Sequence, residues 1–253
     1  MRQSVQRHQG PATAELLLLL TASTSLALAQ TQPPAIMGVT NSASYAAGRI
    51  APGMDAAIFG TNLADSKTVM CASSDGSLPT SCNGVSVSVN GKAAPLYFVS
   101  AAEVNIQVPV DVTGTSAAIQ LSRQTGGQTL QSNSFAAALA PTAPGLFTSS
   151  TGGLNLVDAT DPSGYLVTAS SPARPGDSVS IYGTGFGATN PPVASGSVAP
   201  TTPVPVTAPV TATVGGKAAT VSFAGLAPGL TAGLDQVVLK MPDGLTPGNV
   251  PVS

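Results

Sequence analysis

The sequence has little of what active sites are made from. Charged residues make up 8% of it, aromatic residues 4%, there is no tryptophan, and His8 is the only histidine. An average soluble protein is roughly 25% charged. Beyond the N-terminal segment no imidazole can take a proton from a serine or cysteine, which excludes the usual nucleophilic triads. Ordinary zinc sites lose their nitrogen ligand for the same reason. Nine basic against eleven acidic residues give a formal net charge of −2. No basic patch results, which argues against a nucleic-acid partner. Long hydrophobic runs are also scarce. Only residues 16–28 form one, and it is short of the roughly 20 residues a bilayer span needs.

That run reads as the apolar region of a signal peptide. Arg2 and Arg7 precede it, and Ala27-Leu28-Ala29 is a small-x-small cleavage site. The expectation is removal of residues 1–29, export to the cell envelope or medium, and no membrane span afterwards. His8 leaves with the leader. Cys71 and Cys82 are the only cysteines and bracket the polar loop CASSDGSLPTSC. In an exported chain such a pair reads as one disulfide.

What the sequence does have is glycine, proline and hydroxyl residues, and it uses them twice. Residues 51–64 read APGMDAAIFGTNLA, and residues 174–188 read RPGDSVSIYGTGFGA. Further pairs follow in the same order. VNGKAA at 89–94 returns as VGGKAA at 214–219, and EVNIQVP at 103–109 as QVVLKMP at 236–242. An insertion near residues 225–233, inside the second copy, widens the offset between the matching motifs. Repeats in one order mean two copies of one module. Within each copy the apolar residues alternate at period two between turn signals, which predicts short half-buried strands. Asn90-Gly91 predicts a type I′ hairpin turn. About seven such strands per module suit an immunoglobulin-like sandwich.

The expected architecture is therefore all-β, two tandem immunoglobulin-like β-sandwiches after a signal peptide. The first occupies residues 30–140 and the second residues 141–253. Pro141, Pro144 and Gly145 suit a short, semi-rigid connector. A hairpin of residues 154–157 and 165–169 is expected to stand in the second module where residues 36–50 stand in the first. The first module closes with a hairpin over residues 117–138. The second reaches Ser253 without room for that closing pair, so it is expected to lack its last strand or strands, as a fragment would.

The motifs NSASY at 41–45, IAPG at 50–53, IFGTNLA at 58–64, VNGKAAPLYFVS at 89–100 and APGLF at 143–147 carry a resemblance. So do RPGD at 174–177, IYGTG at 181–185 and FAGLAPG at 223–229. Together they resemble the Solibacter uncharacterised C-terminal domain family, over about residues 36–253. The resemblance implies modules similar to IPT/TIG domains on an exported bacterial protein. It implies no activity and no functional residues.

Several residues nevertheless merit a chemical reading. Gly183, Gly185 and Ala188 fit a G-x-G-x-x-A dinucleotide fingerprint, but Pro191 and Pro192 oppose the helix it requires. Asp158, Asp161 and Ser163 offer oxygens of the kind calcium takes. An Asp-Pro-Ser-Gly turn is the better reading. Lys92 and Lys217 sit in hairpin turns and read as solvated charges. Asp55, Glu103, Asp111, Asp177 and Asp235 are the carboxylates open to a glycoside-hydrolase pairing, though no spacing selects two of them. Tyr45, Phe59, Tyr97, Phe98, Tyr165, Tyr182 and Phe223 are candidates for sugar stacking, yet Phe59/Tyr182 and Phe98/Phe223 recur at matching positions, which favours core packing. No catalytic residue, cofactor or metal is expected. The leading expectation is a non-catalytic extracellular module for interaction, adhesion or spacing, whose partner is an extracellular protein or a polysaccharide. A carbohydrate-binding accessory module is the alternative, and a carboxylate hydrolase the third.

Overall fold

Val85–Val89, sequence VSVSV, buries its three valines and leaves its two serines half exposed, as a period-two pattern requires. The chain then reverses at Asn90-Gly91, where φ is 50° and 76°, and returns as Lys92–Ala94. This is the hairpin expected from the dipeptide. The same logic extends through the computed structural model, which describes residues 32–72 and 75–253. The expected signal peptide lies outside the described residues. Those residues form strands and turns, with no helix among them.

Two sheets make the first half. One runs in the order Ala35–Asn41, Asp55–Thr61, Glu103–Gln107, Leu96–Val99, Val69–Met70. The other runs Arg49–Ile50, Phe135–Leu139, Ser116–Thr125, Val85–Val89, Lys92–Ala94, with Gln128–Gln131 hairpinned onto Ser116–Thr125. Ile58, Val104 and Leu96 from the first sheet share one apolar core with Val87, Ile119 and Leu121 from the second. Burying such aliphatic side chains stabilises by about 1.5–3 kcal/mol each.

The second half reuses the pairing scheme. Ile58↔Val104 in the first half recurs as Ile181↔Val237. The bulge between Leu96 and Phe98 recurs between Val221 and Phe223, and Phe98↔Asn105 recurs as Phe223↔Val238. A shared register and a shared bulge are backbone evidence for the repeat, because a one-residue slip would turn every side chain to the other face. This sheet runs Gly145–Leu146, Ser178–Thr184, Asp235–Lys240, Lys217–Leu226, Ala212–Val214. Its core is smaller, built on Val179, Ile181, Phe186, Val214, Val237 and Leu239, and many apolar neighbours remain partly exposed. Val252 bridges to Val214 as Ile119 pairs with Val89.

Two expectations need correction. The hairpin of the second half is Thr148–Thr151 with Leu154–Val157, around Gly152 and Gly153 at φ 59° and 81°. The place of the first strand is instead taken by Ala159–Thr160, since Ala159↔Ile181 answers Val39↔Ile58. Of the 165–169 arm only Leu166 pairs, through one bridge to Thr160. The paired aromatics are not core either. Phe59, Phe98, Tyr182 and Phe223 are half-buried, while the first core is aliphatic. Branched aliphatics fill the space between two sheets and leave the bulkier rings on the outer faces.

From Pro33 to Ser253 the chain is one compact unit. The connector is accordingly no free linker. Ala140 N–H donates to the Ile50 carbonyl at 3.0 Å, Ala143 N–H to the Gly185 carbonyl at 2.9 Å, and Gly145–Leu146 adds a strand to the second sheet.

Candidate functional site at the seam between the halves

Side chains on one face of Asp55–Thr61 explain how the halves meet. Ala56 and Ile58 point into the first core. Alternation turns Asp55 and Ala57 to the opposite face, as it does Gln107, the strand partner of Asp55. An outer face ought to be wet, yet Ala57 and Gln107 are fully buried and Asp55 nearly so. The second half covers them.

Polar contacts fix this seam. Asp55 N–H donates to Thr184 Oγ1 at 2.8 Å, and Thr184 Oγ1 donates to the Gly233 carbonyl at 2.7 Å. Asn41 Nδ2 donates to the Ala143 carbonyl at 2.9 Å, while its Oδ1 accepts from Ala43 N–H. Gly196 N–H donates to Gln107 Oε1 at 2.5 Å, and Val110 N–H to Ser195 Oγ at 2.9 Å. Glycines permit the approach. A methyl at 233 would overlap Asp55 Oδ1 and lie 2.6 Å from the Tyr97 hydroxyl. At Gly145 it would lie 2.5 Å from Asn41 Oδ1. The fully buried hydroxyl of Thr184 has an instructive counterpart. The repeated IFGT motif places Thr61 at the matching position, and Thr61 is exposed.

The disulfide loop belongs to the same seam. Cys71 and Cys82 are bonded, as expected. Leu78, inside the loop, donates its N–H to the Gly196 carbonyl at 2.8 Å. A Cβ on Gly76 would touch Val198. The cross-link holds a turn of the first half against a turn of the second. A disulfide is also compatible with an extracytoplasmic location.

Of the five carboxylates considered from sequence, the fold brings Asp55 and Asp235 together. Burial pushes the Asp55 carboxyl up to about 8; the nearby Tyr97 hydroxyl opposes the shift and the Asp235 charge adds to it. Burial likewise raises Asp235 to about 7, against the hydrogen bonds its carboxylate accepts from the Phe186 and Gly185 amides. The Phe186 N–H to Asp235 Oδ2 distance is 3.2 Å. Tyr97 is raised as well, by burial first and by Asp55 second. Asp177, near the matching turn of the other copy, caps the Arg174 N–H at 2.8 Å on the surface. Asp111 pairs with Lys92 in the only ion pair among the described residues. Glu103 is half-buried at a strand end. Two raised carboxyls are the usual mark of a catalytic acid pair. Here they are buried where the halves meet, and the shallow depressions beside Gly176 and Met241 and beside Pro205 and Phe223 are lined by neither.

No family model and no curated protein matches the chain.

The remaining sequence candidates resolve as local structure. Gly185 and Gly187 take φ of 88° and 102° and pack against the carbonyls of Ala143 and Pro141. No helix follows them. Asp161 Oδ1 accepts from the Ser163 and Tyr165 amides at 2.8 and 3.0 Å and closes a turn, while Asp158 Oδ1 accepts from Ser149 Oγ at 2.6 Å and braces the base of the hairpin of residues 148–157. Lys217 Nζ reaches the carbonyls of Asp243 and Gly244, and Lys92 has its ion pair, so neither is a free turn charge. Tyr45 stands 61% exposed beside Phe59. Their rings lie 6.3 Å apart and tilted by 39°, which is not a coplanar sugar platform. The seam was missed from sequence. Its available signals were an aspartate inside an otherwise apolar strand and the extra residues 225–233.

Proposed function

We propose that this protein is a non-catalytic, exported interaction or spacer module, and that its two repeated halves act as one rigid element. The observation that supports this reading is the seam. Thr184, Gln107 and Ser195 bond the halves to each other, and Asp55, Tyr97 and Asp235, the groups with the largest shifts in proton affinity, are buried beside them rather than exposed in a cleft. An enzyme exposes such groups in a cleft. The resemblance to the Solibacter uncharacterised C-terminal domain family and to IPT/TIG modules, together with the leader at residues 1–29, supports placement in the envelope or outside the cell. The partner is then an extracellular protein or polysaccharide.

A pull-down of residues 30–253 on insoluble polysaccharides, peptidoglycan and intact envelopes, with and without calcium, tests this. Saturable capture by envelopes or by peptidoglycan is the expected result. Capture by one purified polysaccharide, lost when Tyr45 or Tyr165 is replaced by alanine, would favour the carbohydrate-binding alternative. Hydrolysis of any polymer in the panel would overturn the non-catalytic reading.

A further inference from the structure

Asp55 and Asp235 come from opposite halves and both are buried, Asp55 in the seam and Asp235 behind Gly185, which packs on Met54 and Ala143. The groups facing them can be named from every packed element. Gln107 lies opposite Asp55 on Glu103–Gln107, and Tyr97 comes from Leu96–Val99. Thr184 and Gly233 face Asp55 from the second half. The strand partners of Asp235 are Gly183 and Leu226, and the Phe186 amide points at its carboxylate. Asp55, Asp235 and Tyr97 are the titratable groups in this set. All are acids, and neither carboxyl has a lysine or arginine in an ion pair. Asp55 Oδ1 and the Tyr97 hydroxyl are sealed from solvent without a well-aligned acceptor or donor among the described residues. A buried carboxylate without a cation or full hydrogen bonding is costly, whereas a protonated carboxyl has a donor to offer.

We propose that the seam is proton-gated: it stays closed while the Asp55–Asp235 pair retains protons, and it loosens when both carboxyls ionise. Burial makes each ionised carboxyl costly, and the Asp235 charge adds to the cost at Asp55. Opening lets water reach them while each half keeps its own core. With both carboxyls raised from 3.8, to about 8 and about 7, the seam weakens progressively as pH climbs toward neutral and is fully loosened in mildly alkaline solution. The connector, whose Ala140 N–H donates to the Ile50 carbonyl, keeps the halves joined on either side of the transition.

Hydrogen–deuterium exchange on the full exported chain, corrected for intrinsic rate and run from pH 5.5 to 9.5 (roughly two units either side of the gate), reads this out. The amides of Leu78, Val110 and Gly196 donate across the seam. Their protection is expected to drop about 10-fold or more as pH rises from 5.5 to 8 and then to level off, while amides of the core strands Val85–Val89 and Ser116–Thr125 hold theirs. Asp55→Asn with Asp235→Asn is expected to flatten the seam response. Equal pH dependence of seam and core, or an unchanged seam response in the double variant, would overturn the proposal. If that variant does not fold, carbon-detected titration of the wild-type carboxyls decides. Midpoints of both aspartates near the ordinary value of 3.8 would overturn the proposal, and midpoints tracking the seam amides would support it.

Discussion

Replacing Thr184 by valine tests the seam against an internal control. Valine keeps the shape and removes the hydroxyl, so packing changes little. Two hydrogen bonds disappear, at 2.8 and 2.7 Å. Both former partners, the Asp55 N–H and the Gly233 carbonyl, are left in a fully buried setting. Each buried group deprived of its partner costs about 1–3 kcal/mol. Relaxation and access of water to the carbonyl reduce the sum, so about 2–4 kcal/mol is expected for Thr184→Val. Thr61→Val alters the equivalent position of the other copy. Thr61 is exposed and donates to no seam group, so its effect is expected within about 0.5 kcal/mol. Urea unfolding followed by intrinsic tyrosine fluorescence, fitted for midpoint and slope, gives both numbers. If the two variants lose equal stability, or if Thr184→Val loses less than Thr61→Val, the claim that the seam is a bonded interface fails.

Other expectations follow from the same geometry. Asp55 and Asp235 have folded values raised from 3.8 to about 8 and about 7, so the folded chain binds more protons than the unfolded chain between those limits. Stability from these groups is fully present below about pH 4, falls by at most about 1.4 kcal/mol per pH unit per group as pH rises, and levels off once both are ionised. Urea midpoints that rise between pH 5 and 8 would contradict this. Gly233→Ala forces a methyl against Asp55 and Tyr97 and is expected to cost about 1–3 kcal/mol; Gly38→Ala, with nothing within 4 Å, should stay within about 0.5 kcal/mol in the same assay. Cys71→Ser with Cys82→Ser opens an 11-residue separation and should cost about 2–3 kcal/mol through loop-closure entropy. Exchange protection should fall first at Leu78 and Gly196, and equal protection with and without the disulfide would refute its role in the seam.

The strands were legible in the sequence because their signal is local. VSVSV alternates, Asn90-Gly91 supplies two residues that accept positive φ, and the repeated strings carry the same pairing register into both halves. The cysteine pair was legible too, since only one partner existed for each. Nothing local predicted Ala159–Thr160 as the edge strand in place of the expected hairpin. Its pairing with Ser178–Thr184 is long-range, and a two-residue strand has no period to read. The aromatic pairs misled for a related reason. Recurrence shows that a position is shared, not which side of a sheet it faces.

The seam depended on tertiary structure entirely. Thr61 and Thr184 are equivalents in the repeated motif, yet Thr184 is buried and Thr61 is exposed. Here the two copies meet through different surfaces, a heterologous contact. The first copy offers the outer face of a sheet, and the second offers the loop 186–211 and the extra residues 225–233. Sequence determined the repeated unit, its strands and its cross-link. Which residues of each copy would be enclosed, and so which carboxyls would hold their protons, was decided only when the halves packed.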